Sequence, residues 1–306
     1  MYNKELKLRY KQEKESYTTV AAYYFNSLFK RTEPFEEQLN KDISNFTTYE
    51  IINMYKTLSI MSLDTISTMN SNLSMYTQWC IQQNLVNDFQ NHFLEINREM
   101  MASFVNKYAM NQKVVSRDKI IEWCNQMPNP SDAFCLLALF EGLKGSGYLE
   151  IAYARMEDFE NNVFTSYQGR QIEVSNELIN FAILSNETLE YQSITREMKH
   201  SVDLIDNGRI IKDYPNVRAN ESLPILRRRI QTKLVRIFDY LGILNWMNGN
   251  DVRMSGVIHL INSNSKKINV TGKQYLYGDG LKEIKKQYDL NIAPSTFMNK
   301  YGEYLV

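Results

Sequence analysis

Apolar residues recur at helical spacing along almost the whole chain, and this periodicity constrains the fold more than any other feature. In "SLDTISTMNSNLSMYTQWC", for example, Ile66, Met69, Leu73 and Tyr76 fall on one face of a helix. Twelve glycines and six prolines are few for 306 residues, and they form no low-complexity tract. The pattern predicts a mainly α-helical fold.

One stretch alternates instead. "NNVFTSYQGRQIEVS" has the two-residue period of a strand pair and predicts a β-hairpin that turns near Gly169. The expected fold class is therefore mainly α with a small β-hairpin or sheet. Helical periodicity lapses at 106–116 and restarts at "RDKIIEWCNQM", which predicts two domains. The expected organisation is an N-terminal tail at 1–16, a helical domain at 17–105, a linker at 106–116 and a second domain at 117–306.

Several classes of site are not indicated. The three cysteines, Cys80, Cys124 and Cys135, lack paired spacing and are expected to be buried thiols rather than a disulfide framework. No Cys/His cluster has ligand spacing, and no Walker, GxSxG, HExxH or GxGxxG motif is present, so we expect no metal and no cofactor. The charged N-terminus and the absence of a long apolar run favour a cytoplasmic protein with no membrane partner.

The net charge is zero, but basic residues dominate from Arg196 to Arg236 and again from Lys266 to Lys300. "ILRRRIQTKLVRIF" predicts an amphipathic helix whose inner face holds Ile225, Ile230, Leu234, Ile237 and Tyr240. Its basic residues are either a solvated face or phosphate contacts, and the choice of arginine favours phosphate or base contacts. These basic residues are Arg227, Arg228, Arg229, Lys233 and Arg236.

The order of these elements resembles the tyrosine recombinases of the phage integrase type. "LEIAYARMEDF" is similar to the second half of that family's first box, with Glu150 and Asp158 in the expected places. "YLGILNWMNGNDVRMSGVIHLI" is similar to the segment that contains the second box, His-x-x-Arg. The resemblance implies a helical core-binding domain and a catalytic-like domain that embrace double-stranded DNA as a C-shaped clamp.

The departures from the family bear on activity. Ungapped alignment from Glu150 places Gly147 at the first arginine, whereas alignment on "GLK" places Lys144 there. Asn250 stands where the second box has histidine, and Arg253 alone matches that box. These changes remove groups that the family uses to stabilise the negative charge that develops on the scissile phosphate.

The remaining catalytic positions are also altered. The hairpin lysine is replaced at best by Arg170, a poor proton donor. Tyr301 is the nominal nucleophile, with Tyr288 and Tyr304 as nearby alternatives, and packing of a terminal helix is the simpler interpretation of these tyrosines. Because cooperating catalytic groups lose nearly all of their rate together, we expect no enzyme activity, with Arg253 and Tyr301 as nominal remnants.

A protein that binds DNA without cleaving it can act as a regulator of transcription. "FEGLKGSGYLE" and the altered boxes resemble the recombinase-like repressors of SPβ-type temperate Bacillus phages. The resemblance implies a sequence-specific transcriptional repressor that maintains lysogeny by binding phage operators, with small phage-encoded proteins as candidate antagonists. An active, atypical tyrosine recombinase is the alternative, and a protein that does not touch DNA is the third possibility. The residues expected to contact DNA are Arg227, Arg228, Arg229, Lys233, Arg236, Arg253, Lys144, Arg170, Lys113, Arg117, Lys266, Lys267, Thr65 and Asn70.

Overall fold

The computed structural model describes residues 2–15, 19–58, 60, 63–105, 113–194, 201–215, 222–244 and 246–306. The chain forms two compact units, 1–110 and 111–306. Both are mainly helical, and the second also holds two small antiparallel sheets. The predicted fold class is confirmed.

The first unit is helical throughout its described part. Its helices are α1 (Lys4–Glu15), α2 (Thr19–Leu39), α3 (Thr48–Thr57), α4 (Leu63–Gln82) and α5 (Arg98–Ser103). Two 3-10 turns, Ile43–Asn45 and His92–Glu95, connect them. Thr47 and Glu50 have the three-residue spacing of a capping box, and this capping box is present at the start of α3. Aromatic side chains of α1, α2 and α4 dominate the core, including Tyr10, Phe29 and Tyr76.

The sequence predicted an N-terminal tail at 1–16, but residues 4–15 form helix α1 and pack into this core. Tyr10 is fully buried, and the ammonium of Lys7 pairs with the carboxylate of Glu36 at 2.5 Å, also out of contact with solvent. A charged segment with little apolar periodicity looks like a tail by local pattern alone. Here α2 provides the carboxylate that allows a lysine to be buried.

The predicted linker is only partly described, since 106–112 lie outside the described residues. The helix expected after it does begin at Arg117, where the Ser116 side chain accepts a hydrogen bond from the Lys119 amide. By its sequence, Pro34 in "TEPFEEQLNKDI" is in position for the first turn of a helix, but it lies inside the continuous helix α2. Ser62, which the sequence suggests as the cap of helix α4, also lies outside the described residues.

The second unit is built around one buried helix. Its helices are α6 (Arg117–Gln126), α7 (Pro130–Glu141), α8 (Leu149–Tyr153), α9 (Asn176–Glu187), α10 (Leu223–Tyr240), α11 (Gly249–Lys267), α12 (Gly272–Tyr275), α13 (Leu281–Tyr288) and α14 (Pro294–Tyr301). Helix α7, "PSDAFCLLALFE", is apolar on nearly all sides and is packed by α6, α9, α10 and α11. Shorter turns are Ser146–Tyr148, Met156–Asp158, Leu276–Gly280 and Gly302–Tyr304.

The predicted hairpin is confirmed. Strands β1 (Phe159–Glu160), β2 (Val163–Thr165) and β3 (Gln171–Glu173) form an antiparallel sheet in which Phe164 pairs with Ile172. Gly169 adopts a left-handed φ of 81° in the turn between β2 and β3. This hairpin positions Arg170 beside helices α8 and α13.

A second sheet was not predicted. Strand β4 (Glu190–Gln192) pairs with β5 (Ser201–Asp203), a segment whose polar sequence favoured irregular structure. Tyr191 is buried in β4 and donates its hydroxyl to Asp132 of α7 at 3.1 Å. The strand pair therefore depends on a partner that is distant in sequence, which local pattern does not reveal.

The buried face of α10 is rotated from the predicted one. Ile225 and Tyr240 are 48% and 44% exposed, so these two predictions are wrong. Leu226 and Phe238 are buried in their stead because α10 packs against α7 and α8. The other three predicted positions, Ile230, Leu234 and Ile237, are buried.

The three cysteines are buried and unpaired, as predicted, and burial raises the pKa of each thiol above its usual value. Across the described part of the chain, no helix is long and apolar enough to cross a bilayer. In the same residues, no group of three His, Cys, Asp or Glu side chains is arranged to hold a metal ion.

Candidate nucleic-acid interface

Arg253 lies in the second turn of α11, and its side chain is almost completely buried. The helix begins with a capping box in which the Asn248 side chain accepts from the Asp251 amide. The guanidinium of Arg253, only 6% exposed, donates to the backbone carbonyl of Tyr288. Its Nε has no hydrogen-bond partner among the described residues. Burial lowers the pKa of Arg253, and the nearby guanidinium of Arg170 lowers it further. Arg253 is therefore a buried cation with an unsatisfied donor.

The glycine turn before α8 carries the position of the family's first arginine. Gly145, Gly147 and Tyr148 all have positive φ, at 59°, 68° and 71°. A Cβ on Gly147 would lie 2.6 Å from Cδ and 2.7 Å from Nε of Arg227, a residue of α10. The guanidinium of Arg227 donates to the Ser146 hydroxyl at 2.9 Å, while its buried Nε has no partner in the described chain. An arginine from α10 thus fills the space beside a glycine.

Two further side chains belong to this region. Burial lowers the pKa of Lys144, and the positive charge of Arg253 lowers it further. The Lys144 ammonium lies 5.6 Å from the ring of Tyr148. Burial raises the pKa of the Tyr148 hydroxyl, although Arg253 opposes the rise. We call Lys144, Tyr148, Arg227 and Arg253 the arginine cluster. Three of its four members are cations.

Arg170 was expected to contact DNA, and the structure assigns it a structural role instead. It donates Nε–H to Glu150 at 2.7 Å and a terminal N–H to the other Glu150 oxygen. Its remaining N–H groups reach the carbonyls of Gly142 at 2.9 Å, Gln287 at 2.8 Å and Lys286 at 3.3 Å. All five donors are occupied, so the guanidinium joins the hairpin to α8 and α13 rather than facing a ligand.

Helix α10 does not present one uniform basic face. Arg229 pairs with Asp213 at 2.7 Å. Lys233 is paired with the buried Asp132 at 2.5 Å and lies 4.5 Å from the ring of Tyr191. Both charges are compensated by carboxylates within the unit, which gives these two residues a structural role, and their contact with DNA stays a prediction. Arg228 and Arg236 are exposed, and neither forms an ion pair with another described residue.

The cations near the start of α6 are also compensated. Lys113 lies 3.4 Å from Asp251, and Arg117 lies 3.1 Å from Glu177 and 3.8 Å from Glu141. At the end of α11, Lys266 and Lys267 are exposed, and Lys267 donates to the Asn264 side chain at 3.1 Å.

In the first unit, the two predicted DNA contacts differ. Thr65 is exposed on α4. Asn70 is buried, where its side-chain oxygen accepts from the Tyr55 hydroxyl at 3.0 Å and its amide donates to the Phe93 carbonyl at 3.0 Å. Asn70 is thus a core residue that joins α4 to its neighbours, which favours a structural role over the predicted DNA contact.

The three candidate tyrosines lie in different environments. Tyr301 is buried in α14 against Phe297, and burial together with the charge of Asp251 raises its pKa to about 12. Tyr288 is buried and donates its hydroxyl to the Phe140 carbonyl at 2.8 Å. Tyr304 is half-buried, and burial raises its pKa to about 12. None combines an exposed hydroxyl with an ordinary pKa.

Sequence reasoning identified Arg227 as one of five equivalent basic residues and did not assign a role to Ser146 or Tyr148. The signal for their association is the "GSGY" turn, whose glycines permit positive φ and close approach of another side chain. The exposed lysines of α13, Lys282, Lys285 and Lys286, were noted only as part of a basic block.

Comparison with known proteins agrees with this two-part architecture. Residues 1–82 match the family model described as the MrpR N-terminal core-binding domain, and residues 114–303 match the MrpR C-terminal catalytic domain. A curated relative, the SPbeta prophage-derived uncharacterized protein YopR of Bacillus subtilis (strain 168), is 22% identical over 271 residues, which cover 85% of this chain and 81% of the relative. The chain is therefore a phage-related, recombinase-like protein that belongs to the MrpR family.

Proposed function

We propose that this protein is a sequence-specific, double-stranded DNA-binding repressor of a temperate phage that binds operators and has no recombinase activity. The observation that carries the proposal is the arginine cluster, in which Arg227 and Arg253 each hold a buried Nε without an acceptor. A buried cationic donor without a partner is costly in a folded protein. A DNA phosphate bound against the cluster would supply a countercharge to these cations.

The charge balance of the cluster supports an anionic ligand. Lys144 and Arg253 lie close enough for the charge of Arg253 to lower the pKa of Lys144. The carboxylate nearest in sequence, Glu150, is engaged by Arg170 and by the Lys144 backbone amide. The cluster therefore retains an excess of positive charge that a phosphodiester would relieve.

The absence of recombinase activity in this proposal is supported by the nominal catalytic positions. Tyr301 is buried with a raised pKa, and Asn250 supplies an amide where the family has an imidazole. An amide does not titrate in the range of a general acid or base. Phosphate binding without cleavage then remains the function of the cluster.

The repressor role rests on the family membership and on the prophage origin in the relative's name. Operator binding would block access of RNA polymerase to phage promoters. Relief of repression would require a second component, for which small phage-encoded proteins are the proposed class.

The proposal is tested by gel shifts with overlapping fragments of the phage genome at two salt concentrations. We expect a few fragments to bind specifically and to weaken as salt rises. Arg227→Gln and Lys144→Gln should each weaken binding about tenfold, whereas Lys119→Gln, an exposed lysine paired with Glu122, should leave it unchanged. Failure of every fragment to bind above nonspecific levels would overturn the proposal and favour a protein that does not touch DNA.

An active recombinase is the second candidate because Arg253 matches the second box of the family and Tyr301 is a nominal nucleophile. A nicked suicide substrate traps a phosphotyrosine adduct if one forms. We expect no adduct that survives denaturation with the wild-type chain. An adduct formed by the wild type and lost in Tyr301→Phe would establish recombinase chemistry and refute the inactive assignment.

A further inference from the structure

A cavity of about 460 Å³ lies beside α10, on the side of the helix away from Arg227's contact with Ser146. Its floor includes the apolar or aromatic side chains of Tyr191, Leu226 and Ile230, all buried. Its volume falls within the range of pockets that bind small molecules. Local sequence pattern does not reveal this cavity, because its walls come from β4, from α10 and from the segment around residue 211.

Positively charged side chains outnumber negatively charged ones in the lining of the cavity. Six cations line it, Arg209, Lys212, Arg228, Arg229, Lys233 and Arg236, against one carboxylate, Asp213. Some of these charges are compensated within the unit: Arg229 by Asp213, Lys233 by Asp132, and Lys212 by Asp206 at 3.7 Å. The other three cations of the cavity wall are not in these pairs.

Arg209, Arg228 and Arg236 have no carboxylate within ion-pair distance among the residues described by the structure. Arg209 packs its guanidinium 4.9 Å from the ring of Tyr153, which orients it without neutralising it. A concave wall that carries one sign of charge concentrates the field inside the cavity and attracts an anion.

The apolar lining constrains the rest of the ligand. Ile225 is half-exposed at the rim, where its side chain remains in contact with water although it lines the cavity. A bare inorganic anion would leave this apolar surface and the cavity volume unfilled. A duplex phosphate backbone would meet the arginines at the rim but would bring no apolar group to the floor.

We propose that this cavity binds a small anionic amphiphile, a molecule with an aromatic or aliphatic body and a carboxylate, sulfonate or phosphate group. The body covers Tyr191, Leu226, Ile230 and the rim at Ile225. The anionic group pairs with Arg228, Arg236 and Arg209. This site is separate from the arginine cluster, although both use side chains of α10.

The test uses two fluorescent probes that share an aromatic body and differ in charge. They are 8-anilino-1-naphthalenesulfonate, which is anionic, and N-phenyl-1-naphthylamine, which is neutral. With the native full-length chain and no DNA, we expect the anionic probe to bind one site per chain. The neutral probe should bind at least about tenfold more weakly, because it forms no charge-assisted contact. Equal binding of both probes would overturn the anionic assignment.

Charge variants locate the probe. Arg228→Gln and Arg236→Gln should each weaken the anionic probe about threefold to tenfold and leave the neutral probe unchanged. Lys267→Gln, an exposed lysine outside the cavity, serves as the control and should change neither. If all three variants bind the anionic probe as the wild type does, the cavity is not its site and the proposal fails.

A matched pair on one helix tests the apolar wall. Ile225 and Val235 are both half-exposed on α10, but only Ile225 lines the cavity. Ile225→Glu should reduce binding of the anionic probe by more than tenfold through repulsion and lost apolar contact, whereas Val235→Glu should reduce it less than twofold. Similar effects of the two variants would contradict the assignment.

A gel shift with the same arginine variants tests the alternative that these arginines bind duplex DNA. Under this proposal, Arg228→Gln and Arg236→Gln keep duplex affinity within twofold of the wild type. A loss as large as that of Arg227→Gln would assign the rim to DNA and overturn the small-molecule site. The probe titrations contain no DNA, so their outcome does not depend on whether the protein is a repressor.

Discussion

The side chain of Arg227 occupies the space that a side chain at residue 147 would need. A Cβ on Gly147 would lie 2.6 Å from Cδ and 2.7 Å from Nε of Arg227. The two residues come from different elements, the turn before α8 and the middle of the basic helix α10. Gly147, one of the two residues that align with the family's first arginine, therefore lies against an arginine that comes from another element of the fold.

Gly147→Ala tests this packing. Alanine at a φ of 68° is strained, and its Cβ would also displace Arg227. Gly208→Ala is the matched control, because Gly208 has a φ of 71° with no atom near its Cβ. We expect the control to cost about 1–2 kcal/mol of unfolding free energy, and Gly147→Ala to cost at least about 1 kcal/mol more. Urea unfolding of both variants measures the difference.

The excess cost should depend on Arg227. In an Arg227→Ala background, the contact is absent, so Gly147→Ala and Gly208→Ala should destabilise the chain by similar amounts. An unchanged excess in that background would show that something other than Arg227 restricts residue 147.

Arg170→Ala should be strongly destabilising, because it leaves the buried carboxylate of Glu150 without its cation and three carbonyls without their donor. Breaking a buried pair in this way costs about 3–5 kcal/mol. The control is Arg155→Ala, which removes an exposed pair with Glu157 and should change the unfolding free energy by less than about 0.5 kcal/mol. Equal, small effects in chemical denaturation would refute the structural role of Arg170.

Asn70→Ala should act on stability rather than on DNA binding. It removes the acceptor of the buried Tyr55 hydroxyl and the donor to the Phe93 carbonyl, a loss of about 1–3 kcal/mol. Ser71→Ala, at an exposed neighbouring position of α4, should be close to neutral. Thermal denaturation measures both, and a neutral Asn70→Ala variant with weaker operator binding would restore its assignment as a DNA contact.

Glu141 and Glu177 should give opposite pH dependences. Burial raises the pKa of Glu141 above 4.5 despite hydrogen bonds from Ser175 and the charge of Arg117. The folded state therefore binds this proton more tightly than the unfolded state, and its contribution to stability is lost as the pH rises through the folded pKa. A Glu141→Gln variant should gain stability relative to the wild type as the pH rises above 4.5.

For Glu177, a hydrogen bond from Arg117 lowers the pKa below 4.5. Its ionised form stabilises the fold above that pH, and this contribution is lost as the pH falls through the folded pKa. Glu177→Gln should therefore be less stable than the wild type near neutral pH and approach it in acid. Urea unfolding from pH 3 to pH 8 checks both signs, and parallel curves for the two variants would contradict them.

The local sequence pattern predicted the elements whose formation depends on residues close to them in sequence. The helical class, the hairpin at Gly169 and the capping box at Thr47 all follow from periodicity and turn chemistry. Strand β5 and helix α1 were missed because each is stabilised by a distant partner, Asp132 beneath the sheet and Glu36 beside Lys7.

The sequence by itself determined the helix-rich class, the two-part organisation and the place of Arg253 at the head of α11. Tertiary structure alone decided which cations remain available for an anion. Arg170, Arg229 and Lys233 meet carboxylates from other elements, whereas Arg227 and Arg253 keep unsatisfied donors. A sequence lists charges, but the energy of each charge depends on its burial and on the groups that folding places within a few ångströms of it.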